Sequence, residues 1–265
     1  MSRLTQTAPD RWVTEAMDTV FSLHLPSAGA RATLVEAITA DWARLEDRLS
    51  VFRPGSEISR YRAGHLASAN LSPLVRQAMA ACDRLEDLTG GVFSARRAGG
   101  FDPTGYVKGW ALARAARRLD EAGLTAYCLN GGGDVVVRGA GPHGVPWRVG
   151  IAHPYRPGEL ATVVTALDTT APLAVATSGT AERGQHVVNP LTGWRPTHSA
   201  VTVVGTDIAL VDAIATAALA AGDPAAAALV ASLGLEALGF GEDKRPWWTP
   251  GLPAYALLPA LTGPR

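Results

Sequence analysis

Apolar residues recur at steps of three and four along much of the chain, a spacing that predicts amphipathic helices. The first such helix spans residues 31–52, and its apolar positions are Leu34, Ile38, Trp42, Leu45 and Leu49. A second helix is predicted to follow Ser72, which can cap it, with Pro73 in the first turn and Gly90 at its end. Each helix would bury one face against a core.

Three more helices are predicted later in the chain. One covers residues 105–122 and stops at Gly123. Another follows Asp207, which can cap it. A further, alanine-rich helix starts at Pro224.

Runs of β-branched and aromatic residues between these helices predict strands joined by short turns. The predicted strands are residues 17–25, 125–130, 134–139, 147–152, 162–167, 173–178, 199–205, 234–240 and 253–259. Helices and strands are mixed, no fixed repeat occurs, and no linker divides the chain. We therefore expect an α+β fold, a largely antiparallel sheet with packed helices, in a single domain of residues 1–265.

The composition narrows the classes of function. Lys plus Arg and Asp plus Glu number 24 each, so the overall charge gives no reason to expect binding to nucleic acid or to a membrane surface. The two cysteines, Cys82 and Cys128, form no CxxC pair and are interpreted as core thiols. No apolar run predicts a membrane span, and the first residues lack the apolar segment of a signal peptide. We expect a cytoplasmic protein that acts on a small molecule or a protein.

A carboxylate and a hydroxyl interrupt an otherwise apolar predicted helix in the stretch VDAIATAAL. Asp212 and Thr216 are four residues apart and therefore share one helix face. A buried carboxylate needs hydrogen-bond donors, a cation or a proton. Two interpretations stay open, a partly exposed Asp with a Thr bonded to its own helix, or a site for a hard cation such as Mg²⁺.

The stretch FDPTGYVKGW places several polar groups at the start of the predicted helix 105–122. Asp102 or Thr104 can cap this helix, and Gly105 permits a close approach. Lys108 in the first turn is badly placed for the helix dipole but suits a bound phosphate, which the free N–H groups would also attract. An ordinary capped helix with a solvated lysine is the alternative.

Two other stretches carry weaker signals. In LNGGGDVVVRG, three glycines lie between two predicted strands, which indicates either a hairpin turn or a backbone that passes close to a bulky group. In the polar stretch ATSGTAERGQHVVNPLTG, His186 is either structural or a base that takes a proton from a hydroxyl.

These motifs, in this order, resemble the ApbE family of flavin transferases. The likeness covers about four-fifths of the chain, and its motifs are MDTVF, LSVFRPGSEISRY, TGGVFS, DPTGYVKGW, NGGGD, ATSG, HVVNPLTG, SAVTVVG and VDAIATAALAAG. Each motif alone is modest, whereas their joint order is specific.

The resemblance implies an enzyme that binds FAD with Mg²⁺, moves FMN onto a Thr or Ser hydroxyl of an acceptor flavoprotein, and releases AMP. By position, Asp212, Thr216 and the Gly105 carbonyl would ligate the metal, and His186 would be the general base. The implied flavin contacts are Met17, Phe52, Val92, Phe93, Ser94, Asp102, Lys108 and Val187.

The chain departs from the family pattern at several positions. Asp18 replaces the usual glycine after the opening Met, and GVFS replaces GAFD, so that Ser94 stands where an acidic residue is usual. A longer helical insertion is missing between Ser94 and Gly100. The aromatic residue after ATSG is also absent, and Thr180 and Ala181 stand there. These departures concern the flavin pocket more than the implied metal ligands.

Two alternative functions remain open at this point. A Mg²⁺-dependent FAD pyrophosphatase would use water in place of the acceptor hydroxyl and release FMN and AMP. A non-catalytic flavin-binding protein is the other alternative. Covalent flavinylation of this chain itself is not expected, because the implied acceptor pattern, Asp-Gly-x-Thr/Ser-Gly-Ala-Thr/Ser, has no good match in it.

Overall fold

The computed structural model describes residues 4–26, 31–166, 168–180, 187–197 and 199–256. In chain order the strands are β1 Thr5–Ala8, β2 Arg11–Ala16, β3 Thr19–His24, β4 Arg96–Arg97, β5 Gly100–Phe101, β6 Tyr127–Gly131, β7 Asp134–Arg138, β8 Arg148–Ala152, β9 Leu160–Thr165, β10 Leu173–Gly179, β11 Ala200–Gly205, β12 Glu236–Phe240 and β13 Pro246–Trp248. The helices are α1 Ala32–Leu49, α2 Glu57–Arg62, α3 Pro73–Leu88, α4 Thr104–Glu121, α5 Ile208–Ala221, α6 Ala225–Ser232 and α7 Leu252–Tyr255. Short 3-10 turns cover Ser68–Asn70 and Pro142–Gly144.

One large antiparallel sheet organises the described residues. Its strand order is β1-β2-β3-β6-β7-β10-β11-β12-β13, and each of these neighbouring pairs runs antiparallel. Two hairpins, β4–β5 and β8–β9, lie outside it. The expected α+β fold with a largely antiparallel sheet and packed helices is confirmed.

The two faces of the sheet bury different partners. Along β10, Ala174 and Ala176 belong to the larger core, which contains the helices, whereas Leu173 and Val175 belong to a smaller core beneath the β8–β9 hairpin. This alternation follows from the two-residue repeat of a strand. Because the sheet is covered on both faces, the sequences of its central strands are nearly continuous apolar runs.

Helix α5 is the most buried helix around the site. It packs against α4 on one side and against β10 and β11 on the other, so most of its residues are inaccessible to solvent. Its many alanines suit this position, because small side chains allow close approach of helix and sheet. Asp207 caps its start by accepting hydrogen bonds from the N–H groups of Ala209 and Leu210.

The predicted helices agree with the structure to within a few residues. Ser72 caps α3 as expected and Pro73 is its first residue. Gly123 follows α4 with φ of +77°, the left-handed conformation that favours glycine after a helix. No helix among the described residues is both long enough and apolar enough to cross a bilayer, in agreement with the sequence.

Several predicted strands differ from the structure. The strand expected over 17–25 begins only at Thr19, because Met17 and Asp18 form the turn between β2 and β3 with φ of 54° and 57°. The strand expected over 253–259 is wrong in its described part, where Leu252–Tyr255 is a short helix and Ala256 forms an isolated bridge to Val164. Residues 257–259 lie outside the described part of the chain.

Candidate functional site

The site begins where α4 and α5 touch. Gly109 donates its backbone N–H to Oδ2 of Asp212 at 2.7 Å. A Cβ atom at position 109 would lie 2.6 Å from the Asp212 Cβ and 2.7 Å from the Ile208 carbonyl oxygen. Only glycine allows the two helices to approach this closely, and this approach gives Asp212 a hydrogen-bond donor from the neighbouring helix.

Asp212 is buried and shares its cation with a second carboxylate. Nζ of Lys108 lies 3.1 Å from Oδ1 of Asp212, and the same ammonium contacts Oδ2 of Asp134. Asp134 opens β7, directly after the glycine turn, and its Oδ1 accepts the Thr177 backbone N–H at 3.1 Å. The side chains of the two aspartates are 2% and 7% exposed, so solvent screens their charges little.

The interpretation that Asp212 is partly exposed is therefore wrong. The lysine expected to be free for a phosphate is instead held by two carboxylates. Lys108, Asp134 and Asp212 together carry one positive and two negative charges when all three are ionised, so the cluster has surplus negative charge. This surplus favours the approach of a further cation.

Hydroxyl groups lie beside this cluster. Oγ1 of Thr216 is 3.2 Å from Oγ of Ser178, which lies near the end of β10 on the helix side of the sheet. A Cβ atom at Gly105 would lie 3.4 Å from Cγ2 of Thr216 and 3.7 Å from its Oγ1, so the first turn of α4 adjoins the same hydroxyl. The structure thus brings together the three residues implied as metal ligands, Gly105, Asp212 and Thr216.

The chemistry of these donors fits Mg²⁺. Carboxylate, hydroxyl and carbonyl oxygens are the ligands that this cation prefers, and it usually retains several waters. Among the described residues, no cluster of three or more Asp, Glu, His or Cys side chains forms a ready metal site. A cation bound at Asp212 would therefore depend on oxygens from Thr216 and Gly105 and on oxygens of a bound substrate.

A cavity of about 440 Å³ adjoins the first turns of α4. Four of the implied flavin contacts line it: Met17, Phe52, Asp102 and Lys108. The remaining lining residues are Asp18, Leu45, Glu46, Leu49, Ser50, Val51, Arg97, Thr104 and Val107. The Phe52 side chain is 74% exposed, so an aromatic ring stands at this cavity with most of its surface available for stacking.

Asp102 organises the entry to α4. Its Oδ1 accepts hydrogen bonds from the backbone N–H of Thr104 at 3.1 Å and from the Thr104 hydroxyl at 2.7 Å. Asp102 thus satisfies the first helical N–H group, as the sequence allowed, although Pro103 is the residue at the N-cap position.

The other implied contacts do not line this cavity. Phe93 is buried beside Gly105, Val187 lies in the larger core, and Val92 packs against that core. Ser94 donates its hydroxyl to Oε2 of Glu86 at 3.2 Å. His186 lies outside the described residues.

Sequence reasoning missed three residues of this region. Asp134 belongs to the quoted motif NGGGD but was not assigned a role, and Ser178 belongs to ATSG. Arg97 falls in the segment where the resemblance implies a missing insertion. The signal for Asp134 was available, since a carboxylate directly after a hairpin turn and before a buried strand needs a partner.

Comparisons with known proteins place the chain beside one family. A model of the ApbE family matches residues 17–98 and 94–239. The chain is 35% identical over 179 residues to an FAD:protein FMN transferase of Rhodobacter capsulatus, which covers 62% of this chain and 33% of that protein. It is 29% identical over 156 residues to an FAD:protein FMN transferase of Klebsiella pneumoniae (strain 342), which covers 54% of this chain and 44% of that protein. The matched segments thus span less than half of these relatives.

Solved structures share the fold. The flavin transferase ApbE from Vibrio cholerae superposes with a TM-score of 0.75 at 19% identity, covering 96% of this chain and 100% of that one. The apbe protein from Thermotoga maritima gives 0.78 at 19% identity, with 96% and 99% covered. Since the family model matches most of the sequence, the chain belongs to the ApbE family.

Proposed function

We propose that this protein is a Mg²⁺-dependent FAD:protein FMN transferase that acts within a single domain. It attaches FMN from FAD to a Thr or Ser hydroxyl of an acceptor flavoprotein and releases AMP. The observation that carries this proposal is the position of the oxygen cluster at Asp212, Thr216 and Ser178 beside α4, whose first turns also line the cavity with Phe52. The names of the relatives and the family membership support the same activity.

The metal ligands proposed are Asp212, Thr216 and the Gly105 carbonyl. Bound there, Mg²⁺ would neutralise charge on the FAD diphosphate and on the departing AMP. The protein's own contribution is to hold the ligand oxygens of Asp212 and Thr216 in position. Asp212 is held by the Gly109 N–H and by Lys108, and Thr216 is held by Ser178.

The flavin is proposed to lie in the cavity against Phe52 and Met17, with Asp102 and Lys108 beside its phosphate end. Val92, Phe93, Ser94 and Val187 remain proposed flavin contacts, although they do not line this cavity. The phosphate end then faces the N-terminal turn of α4, where backbone N–H groups and the helix dipole favour negative charge.

The reaction transfers FMN, which becomes attached to the acceptor through its phosphoryl group. The acceptor oxygen forms a bond to the phosphorus of FMN, and the bond from that phosphorus to the AMP phosphate oxygen breaks. His186 is proposed to take the proton of the attacking hydroxyl, since a protein hydroxyl is a weak nucleophile without a base. The reaction is proposed to take place in the cytoplasm.

Incubation with FAD, Mg²⁺ and a protein that carries the acceptor pattern tests this function. Flavin fluorescence on the denatured acceptor band, together with one AMP for each FMN attached, is the expected result. Free FMN and AMP without a labelled acceptor would identify a pyrophosphatase instead. Bound FAD with no AMP released would identify a binding protein.

The Asp212→Asn variant tests the metal role directly, because it keeps the shape of the side chain and removes its charge. AMP release should fall at least about a hundredfold if Asp212 holds the metal, since that charge is the strongest protein ligand of the proposed site. Thermal unfolding checks that the variant is folded. Unchanged turnover in the folded variant would contradict the assigned role.

A further inference from the structure

The short β4–β5 hairpin points one of two adjacent arginines at the cavity. Arg96 and Arg97 form β4, which pairs with Gly100 and Phe101 in β5. Since side chains alternate along a strand, the two arginines face opposite ways. Arg96 contacts Asp83 and Glu86 on α3, whereas Arg97 lines the cavity.

The guanidinium of Arg97 is incompletely bonded. Its Nε is buried and makes no hydrogen bond with any described residue. The nearest carboxylate oxygen, Oδ2 of Asp102, lies 3.9 Å from it, which is too far for a hydrogen bond. The Arg97 side chain as a whole is 33% exposed and lines the cavity, so it remains accessible to a ligand there.

Two other charged groups of this wall, Glu46 and Lys108, already have partners. Glu46 pairs with Arg53 at 2.7 Å. Lys108 is held by Asp134 and Asp212. Arg97 is therefore the lining cation, among the described residues, that is best able to accept a new anionic partner.

The hairpin holds Arg97 in place before any ligand binds. Nε of Arg62, on α2, donates to the Gly99 carbonyl at 2.8 Å, and the Asp102 N–H donates to the Ala95 carbonyl at 2.7 Å. Gly100 has φ of +98°, a conformation that glycine adopts without strain. A backbone fixed in this way loses little conformational entropy when a ligand binds to its side chains.

We propose that Arg97 is a substrate-binding residue that donates hydrogen bonds to the diphosphate of FAD. The inference rests on the proposed function and deepens it. A guanidinium suits this partner, because its planar set of N–H donors matches the oxygens of a phosphate. The β4–β5 hairpin thereby supplies, in this chain, a contact to the anionic part of the dinucleotide.

The test compares the variants Arg97→Met, Arg97→Lys and Arg96→Met in calorimetric titrations with FAD and with riboflavin. Titrations are run without acceptor, first in EDTA and then with Mg²⁺. Arg97→Met should weaken FAD binding about tenfold or more, the size expected for a lost charge-assisted hydrogen bond. Riboflavin has no phosphate, so its affinity should stay unchanged. Arg96→Met should bind FAD like the parent, and Arg97→Lys should recover part of the loss.

The outcomes separate this inference from the proposed function. If the parent protein binds no FAD in either condition, the proposed function fails. If the parent binds FAD and the folded Arg97→Met variant binds it equally well, only the role of Arg97 is overturned. Equal losses for FAD and riboflavin would also overturn it, because the contact would then not be to phosphate. Thermal unfolding of each variant confirms that it is folded.

Discussion

Lys108 and Asp212 are 104 residues apart in sequence, and their Nζ and Oδ1 atoms lie 3.1 Å apart in the fold. The same ammonium contacts Asp134 from the β6–β7 hairpin. One lysine thus ties two helices and a hairpin turn together at the place where the cation is proposed to bind.

Lys108→Met should destabilise the protein by about 3–5 kcal/mol, because it leaves two buried carboxylates without their cation. Chemical denaturation measures this free energy of unfolding. If Asp212 belongs to a cation site, added Mg²⁺ should raise the stability of the variant more than that of the parent, since the metal then has no competing ammonium.

The chain's second lysine gives the control for that experiment. Lys244 is exposed and lies 5.3 Å from the centre of the Tyr155 ring. Lys244→Met should change the stability by no more than about 0.5 kcal/mol, as expected for a surface substitution. Similar losses in the two variants would show that burial of the Asp134 and Asp212 charges does not determine the effect.

Gly109→Ala should separate α4 from α5. The added Cβ would lie within 2.7 Å of both the Asp212 Cβ and the Ile208 carbonyl oxygen, so a helix must move. We expect a loss of about 1–3 kcal/mol, the range for overpacking a tight interface. Denaturant titration of the folded protein measures it.

Gly105→Ala is the matched comparison on the same helix. There the new Cβ would meet Cε2 of Phe93 at 3.3 Å and Cγ2 of Thr216 at 3.4 Å, contacts that a small shift relieves. Both variants gain the same helix propensity, so their difference isolates the clash. A Gly109→Ala variant as stable as Gly105→Ala would show that the helices are not packed at this distance.

The raised pKa values of the two cysteines predict how the free energy of unfolding changes at high pH. Burial raises the pKa of Cys82 to about 12 and the pKa of Cys128 to about 11. An unfolded thiol has a pKa of about 8.5, so between pH 8.5 and 11 the unfolded state has lost protons that the folded state keeps. The free energy of unfolding should therefore fall as the pH rises through this window.

Cys82→Ala should flatten this dependence by up to about 1.4 kcal/mol per pH unit, the contribution of one proton. Urea titrations at pH 8, 9, 10 and 11 measure the slope. At pH 8 both native thiols should also react slowly with a thiol reagent and quickly after unfolding. Rapid reaction of two thiols in the native protein would contradict the buried state of Cys82 and the partly buried state of Cys128.

Local signals explain why most helices were predictable. The first and third helices have regular apolar spacing, and Ser72, Pro73 and Gly123 mark boundaries that the structure reproduces. The β1–β2 hairpin gave no such signal. Strand β1 lies at the edge of the sheet and its residues are largely exposed, so no apolar face marks it in the sequence.

The site was also predictable from the sequence only in part. That Asp212 needs a partner followed from its apolar helix. The identity of the partner did not, because Lys108, which also contacts Asp134, reaches Asp212 only through the packing of α4 against α5. The sequence also did not predict that Arg97 faces the cavity, because this depends on the orientation of a two-residue strand.

The close approach at Gly109 has a kinetic consequence. Asp134 and Thr216 meet α4, and Ser178 meets Thr216, only after widely spaced segments have packed, and contacts of long sequence separation form slowly. We expect flavin binding to return during refolding together with the last increase in tertiary signal, after most helical circular dichroism has recovered. Ligand capture would then report completion of the native state, and a partly collapsed chain would remain unable to bind.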